Sequence, residues 1–580
     1  MAAFFVCTSA NMSTRQRPMN TPSPAIISNL AVRRMPRHWL VLLCVVYVFI
    51  GSFDRGPWKS MDLTSLGYML SLVEGQSHVL HLQMAGIPPE LDALLPYWIG
   101  MLAIRTFSDL PPDLSARLVF SSLSLWGMFC LWQGIYFLAR NPQAQPVAFA
   151  FGGEANPKDY ARAIADGGLL AYVACLGLAV PSHEITPMAF QLQLLCMLFA
   201  GAACMHFYPG KGLTGICAGA FLMALSGAPA LATLLLSGIC ILWWRNPQST
   251  RIQLQLLLST LAGVIFLSFY LELWQWRVVD LFEFKTKFKE NTELLLWFLW
   301  PAWPMAAWTL WKWRGHWRHQ VWTQHLTLPV FLFTVTLGAS VVTSNPDRTL
   351  LLVLPSIAAL AAFSLPTLRR SVAALVDWFT LIFFTTCAIA IWGVWFSLET
   401  GVPAQPARNV FRLVPGYVYE FNLFALLCAL VVTLIWFKII AWRVGRHPSA
   451  IWKSLVLPAT GVVLCWVLLM TLWLPFIDHA MSYKAWTAQL KEVIGSEKCV
   501  AFARMDRHQI AGFSFHGKLS FEPMQQPNTC QWLLHKPLAG ESTPMTIDTR
   551  KWLYLQTLQR PGDKSDSVQI YQRIDSLSHD

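Results

Sequence analysis

The sequence predicts an all-α polytopic membrane protein with a small α/β domain at its C-terminal end. Three observations carry this. Of the 580 residues, 55% are apolar or aromatic and only 13% are Asp, Glu, Lys or Arg, about half the charged share usual in soluble domains. The apolar residues lie in long unbroken runs rather than periodic stripes, which excludes a large water-soluble enzyme and excludes disorder for most of the chain. From about residue 477 the composition turns mixed and polar.

The chain divides accordingly. Residues 1–37 form a Ser/Pro/Arg-rich N-terminal tail. Leu40–Ile50 is followed by no small-residue cleavage site, so it reads as an uncleaved first span. A span needs roughly 20 apolar residues. Runs of suitable length are 38–53, 116–139, 164–182, 188–207, 213–227, 229–244, 252–273, 294–311, 326–343, 349–367, 374–397, 420–441 and 455–474, about thirteen in all. The membrane domain is thus 38–476, with a long loop, 54–115, after the first span. Within that loop 92–107 is short and carries Arg105 near its end, which suits a helix lying in the interface. Leu63, Leu66, Met69, Leu70 and Val73 recur at helical spacing and predict a second such helix. Residues 477–580 form the polar domain, with strand-like pieces at Lys498–Ala503, Gln531–His535 and Val568–Arg573.

The net charge of +12 arises from 43 Lys and Arg against 31 Asp and Glu. Nucleic-acid binding would need a soluble basic face; here the cations sit in short clusters between apolar runs, the pattern that orients spans. With the N-terminus cytoplasmic and 92–107 not crossing, Arg33, Arg34, Arg37, Arg140, Lys211, Arg245, Arg251, Lys312, Arg369 and Arg370 fall inside. An odd number of spans then puts the C-terminal domain outside. Of 13 cysteines, ten lie in apolar runs and none forms a CxxC pair. Cys499 and Cys530 share the outer domain, where a disulfide between them is favoured over two unpaired thiols.

Charges are costly in a bilayer, so those gathered on the outer side are the site candidates. They are Asp54, Lys59, Asp62 and Asp92 in the first outer loop, His183 and Glu184 at the end of a span, Lys285 and Lys287 in the third outer loop, and Arg348 in Ser344–Arg348. A basic outer cluster suits a phosphate; the alternative is a set of solvated loops with charges reaching the interface. No P-loop, HExxH or GxSxG signature is present. No His/Asp/Glu group has metal-ligand spacing, although a divalent metal stays open.

Several stretches resemble the GT-C membrane glycosyltransferases, in the branch with family 39 protein mannosyltransferases and the lipid A aminoarabinose transferase. Pro57-Trp58-Lys59-Ser60-Met61-Asp62 is similar to a PWKxDE stretch opening the first outer loop, and Ala85-Gly86-Ile87-Pro88 to the AGxPF piece after it. Leu95-Pro96-Tyr97-Trp98 resembles the PPLxYW start of the interfacial helix, and Ala116-Arg117-Leu118 the AARLPS start of the second span. Arg348 with Leu350–Pro355 looks like the RYLLPLLP segment. The likeness covers roughly 38–480. The sequence departs from the pattern where DE reads Met61-Asp62, where EKPP reads Leu91-Asp92-Ala93-Leu94, and where the second outer loop offers Glu184 for its acidic residue.

The resemblance implies a glycosyltransferase of the bacterial inner membrane acting on its periplasmic face. It would move a sugar from a polyprenyl-phosphate carrier to a lipid, glycan or protein acceptor. The lipid-linked donor is a co-substrate, and no separate cofactor is implied. In such enzymes an acidic residue of the first loop serves as base or positions the acceptor, which here means Asp62, with Asp54 next. Lys59, Asp92, His183, Glu184, Lys285, Lys287 and Arg348 are the expected substrate and phosphate contacts. The rival readings are a multi-span transporter or lipid flippase, which would carry broken or polar helices at mid-membrane, and a member of this fold that has lost activity.

Overall fold

The computed structural model describes residues 23–246, 248–274, 292–319, 323–343, 346–445, 450–525, 529–537 and 547–574. Its helices are α1 (Arg37–Phe49), α2 (Lys59–Val73), α3 (Leu95–Thr106), α4 (Pro112–Arg140), α5 (Pro157–Ala174), α6 (Pro187–Cys204), α7 (Pro209–Leu225), α8 (Pro229–Trp244) and α9 (Arg251–Tyr270). They continue with α10 (Ala302–Lys312), α11 (Gln324–Val342), α12 (Leu354–Ala362), α13 (Arg370–Thr400), α14 (Ala404–Leu413) and α15 (Leu423–Val444). The last are α16 (Val456–Leu468), α17 (Leu474–Met481), α18 (Lys484–Ile494) and α19 (Arg507–Gly517).

Local chemistry sets many of these boundaries. Five consecutive helices, α4 to α8, open on proline, whose missing N–H costs nothing in a first turn. Asn156, Thr186, Thr250 and Asn422 cap helices through their side-chain oxygens. Gly401 ends α13 at φ +75°, a left-handed stop that glycine adopts without penalty.

Eight helical stretches among the described residues are long and apolar enough to cross a membrane. A ninth forms if α5 and Leu176–His183, bent by 65°, count as one span; α1, α7 and α8 are apolar but shorter. The thirteen apolar runs therefore all fall on helical segments, and the difference in count has a physical origin. Pro301 divides the run 294–311, leaving α10 with eleven residues, and three other runs give helices of 13 to 17 residues. The segment 92–107 gives the twelve-residue α3, about 18 Å long at 1.5 Å per residue and too short to span.

Helix ends meet in two sets. Leu94 N donates to Leu225 O, Trp466 Nε1 to Ile50 O and Arg348 to Glu184 at one end. Trp452 Nε1 donates to Arg33 O, Gln324 Nε2 to Ala202 O and Trp308 Nε1 to Thr367 at the other. Close packing where α6 turns into α7 depends on absent side chains: a Cβ on Gly212, in the first turn of α7, would lie 2.5 Å from Met205 Cα, so small residues let backbones approach.

The polar domain holds a five-stranded mixed sheet of order β2-β1-β3-β5-β4. Its strands are β1 (Cys499–Ala503), β2 (Ser520–Pro523), β3 (Trp532–His535), β4 (Trp552–Arg560) and β5 (Asp563–Arg573). α19 connects the parallel pair β1 and β2, while β4 and β5 form an antiparallel hairpin. Cys499 and Cys530 are joined by a disulfide, their Cα atoms 5.1 Å apart. The domain sits on the first loop: α19 packs on α2, where a Cβ on Gly67 would meet Ala511 Cβ at 2.8 Å, and Arg507 Nε donates to Pro88 O at 2.9 Å.

Candidate functional site

The site lies where the loop 50–58, the start of α2, the start of α4 and the turn after His183 converge. Asp62, in the first turn of α2, is 1% exposed. Its Oδ1 accepts from Ile185 N at 2.8 Å, and its Oδ2 from Trp58 N at 3.2 Å and Arg55 Nη2 at 3.4 Å. The bond to Trp58 closes the helix start on itself, and the bond to Ile185 ties it to the second outer turn. The carboxylate thus joins three segments separated by up to 123 residues.

Arg55 is equally buried, its side chain wholly removed from solvent. Its guanidinium lies 4.2 Å over the Trp58 ring, a cation–π contact that shields one face. Among the described residues its Nε and Nη1 have no hydrogen-bond partner. Buried donors without partners are rare and costly, and this guanidinium carries two of them. Arg117, in α4, is 1% exposed, pairs with Asp113 at 3.2 Å and donates to Arg55 O; its Nε and Nη2 also lack a partner among the described residues.

Glu184 and Arg348 form the third component. Arg348 grips the carboxylate through two bonds, Nη2 to Oε1 at 2.6 Å and Nε to Oε2 at 3.1 Å, the geometry that suits a fork to a carboxylate. Glu184 is 4% exposed. Burial raises its carboxyl to about 7 against the pull of Arg348, with the Asp62 charge raising it further. Arg348 keeps 19% of its side chain exposed and is the open side of the pair.

Asp478, at the start of the chain's exit from the bundle, completes the cluster. Its Oδ1 accepts from Gly56 N at 2.7 Å and Trp58 Nε1 at 2.8 Å. Among the described residues, four carboxylates (Asp62, Asp113, Glu184, Asp478) thus face three guanidiniums (Arg55, Arg117, Arg348).

Of the residues expected from sequence, Asp62, Glu184 and Arg348 meet here. Asp54 stands apart: it is exposed, with its backbone at φ +53°. His183 is buried, 2.7 Å from Tyr47 O and stacked on Trp466 at 4.4 Å, so it fastens α1 to the turn and to α16. Asp92 is half-buried in the strap where Leu94 N reaches Leu225 O. Lys59 opens α2, with its side chain outside the described residues. Lys285 and Lys287 lie outside the described residues. Arg55, Arg117 and Asp478 were not among the expected site residues. Arg117 lies within the motif-like Ala116-Arg117-Leu118, which offered a signal; Asp478 sits 422 residues from its partner Gly56 and offered none.

Beside Asp62 a cavity of about 280 Å³ opens between the membrane domain and the sheet domain. Ser60, Thr64 and Ser65 of α2, Glu90, Pro187, and Asp506 and His508 at the start of α19 line it. Its hydroxyls, carboxylates and imidazole present both donors and acceptors.

No protein-family model matches the chain, and no curated protein matches it. Among solved structures, ArnT from Cupriavidus metallidurans in the apo state is similar, with a TM-score of 0.55 and 13% identity over 93% of this chain and 99% of that one. The structure of the same protein bound to undecaprenyl phosphate gives a TM-score of 0.55 and 13% identity over 93% of this chain and 98% of that one. At this identity the likeness is one of fold alone: the chain has an ArnT-like fold.

Proposed function

We propose that this chain is a membrane glycosyltransferase moving a sugar from a polyprenyl-phosphate carrier to an acceptor on the outer face of a bacterial inner membrane. The observation that carries this is Arg55, buried beside Asp62 with two donors unpartnered among the described residues, in a fold whose neighbour is bound to undecaprenyl phosphate. Arg55 and the exposed side of Arg348 would take the carrier phosphate. The orientation, N-terminus cytoplasmic and sheet domain periplasmic, follows from the basic clusters between spans.

Chemically the step is displacement at the anomeric carbon. The bond from that carbon to the phosphate oxygen breaks, the acceptor oxygen forms its bond there, and the acceptor's proton passes to a carboxylate. Phosphate is a good leaving group, so the demands are cations at its oxygens and a proton acceptor. Asp62, with three donors on its oxygens, organises the site and fixes Arg55. Glu184, raised to about 7, is the better-matched proton acceptor, since a base works best near the operating pH. The 280 Å³ cavity would admit the acceptor between α2 and α19.

The test is transfer itself. Purified protein in lipid nanodiscs, given polyprenyl-phosphate sugars extracted from bacterial membranes, should release free polyprenyl phosphate with a glycosylated envelope product. A chain that instead moves the intact lipid across proteoliposomes, without cleaving it, would be a flippase and would overturn the proposal.

A further inference from the structure

The loop holding Arg55 is not held by the membrane domain alone. Asp478 Oδ1 takes both the Gly56 N–H at 2.7 Å and the Trp58 indole N–H at 2.8 Å. Those two residues flank the turn after Arg55, and the Trp58 ring is the surface on which the guanidinium rests at 4.2 Å. One carboxylate oxygen therefore sets both the backbone of the turn and the tilt of the ring. A Cβ on Gly56 would lie 3.2 Å from Asp478 Oδ1, so the approach is close enough that glycine favours it.

Asp478 belongs to α17, which is tied to the sheet domain at its far end. Arg560, near the tip of the β4–β5 hairpin, donates through Nη2 to Met481 O and to Ala480 O at 3.3 Å. The same guanidinium is 4.7 Å over the Tyr483 ring and 3.6 Å from Asp566. It is buried, with 4% of its side chain exposed, so this clamp is a fixed part of the fold. At its near end α17 follows a π-helical turn, Leu469–Trp473, a local widening frequent beside functional sites.

We propose that Asp478 is a positioning residue for the carrier-phosphate site. It holds Trp58, and through Trp58 it sets Arg55 with its free donors facing the anion. The sheet domain takes part in carrier binding by way of Arg560 and α17. This rests on the assignment of Arg55 to the carrier phosphate. Asp478 touches neither donor nor acceptor in this scheme; it acts through geometry. An oxygen acceptor is what the geometry needs, because both donors are neutral N–H groups.

The experiment compares wild type, Asp478→Asn and Asp478→Leu in nanodiscs, titrated with undecaprenyl phosphate and assayed for transfer. Asparagine keeps an oxygen for both N–H groups, whereas leucine keeps none and matches its size. The expected result is undecaprenyl phosphate affinity within about threefold of wild type for Asp478→Asn. Asp478→Leu should lose at least about tenfold, seen as a raised KM for the lipid donor with kcat reduced less. Arg560→Met should weaken affinity in the same direction while its thermal unfolding remains cooperative. If wild type binds and Asp478→Leu binds equally well, the positioning role is overturned and Arg55 keeps its assignment. If wild type itself does not bind undecaprenyl phosphate, the functional reading fails with it.

Discussion

Replacing Asp62 by Asn separates a structural anion from a free catalytic one. At 3.4 Å two unit charges attract by about 5 kcal/mol at an effective dielectric of about 20. Removing one partner of a buried pair costs about 3–5 kcal/mol, because the other charge stays behind uncompensated. An asparagine can keep its oxygen on the Ile185 N–H, but its NH₂ then faces the Trp58 N–H and Arg55, donor against donor. The variant should therefore unfold more easily by about 3–5 kcal/mol and lose transfer at least about a hundredfold. The reading is made per folded protein, by thermal unfolding in nanodiscs alongside release of free polyprenyl phosphate. Asp54→Asn is the matched control: Asp54 is exposed, and its replacement should leave activity within about twofold. Near-normal transfer in Asp62→Asn, or equal losses in the two variants, would refute the reasoning.

Further outcomes follow from the same geometry. Glu184 rises from 4.5 to about 7, so folding favours its neutral form. That contribution is fully present below pH 4.5 and is lost as pH climbs through about 7, worth about 3 kcal/mol in total. Transfer by wild type should rise through the same window, and Glu184→Gln should abolish that limb; a wild-type profile flat from pH 6 to 8 would remove Glu184 as proton acceptor. Replacing Cys499 and Cys530 by Ser frees a loop spanning 31 residues and should cost about 2–4 kcal/mol of sheet-domain stability, read by urea unfolding; an unchanged midpoint would count against it. Gly212→Ala puts a methyl 2.5 Å from Met205 Cα and should destabilise by about 1–3 kcal/mol, measured as faster thermal inactivation; unaltered inactivation would show that α6 and α7 can part without loss.

Much of this architecture is legible in one sequence because bilayer solubility is written in composition. Leu254–Ser268 or Leu423–Phe437 must be helical wherever it sits, since no water satisfies its backbone inside lipid. The polar domain was legible as a change of composition at 477, and Cys499 and Cys530 as the two cysteines outside apolar runs and the tail. Asp62, Glu184 and Arg348 stood out because few charges occur near span ends. The rest depends on tertiary contact. Arg55 read as one outer-loop cation among several, and only its burial and unpartnered donors distinguish it. Asp54 ranked next to Asp62 in the sequence, yet it is exposed where Asp62 is buried, a difference that sequence spacing does not encode. Asp478 comes from the opposite end of the chain and meets Gly56 only once the last span has returned to the site.

The most direct measurement is a titration of undecaprenyl phosphate into wild-type protein and into Arg55→Met, both in nanodiscs and both checked for cooperative unfolding. The account predicts saturable binding by wild type and a loss of at least about a hundredfold in the variant, since a buried charge-assisted contact to phosphate is removed. Equal binding by the two proteins, or none by wild type, would contradict it.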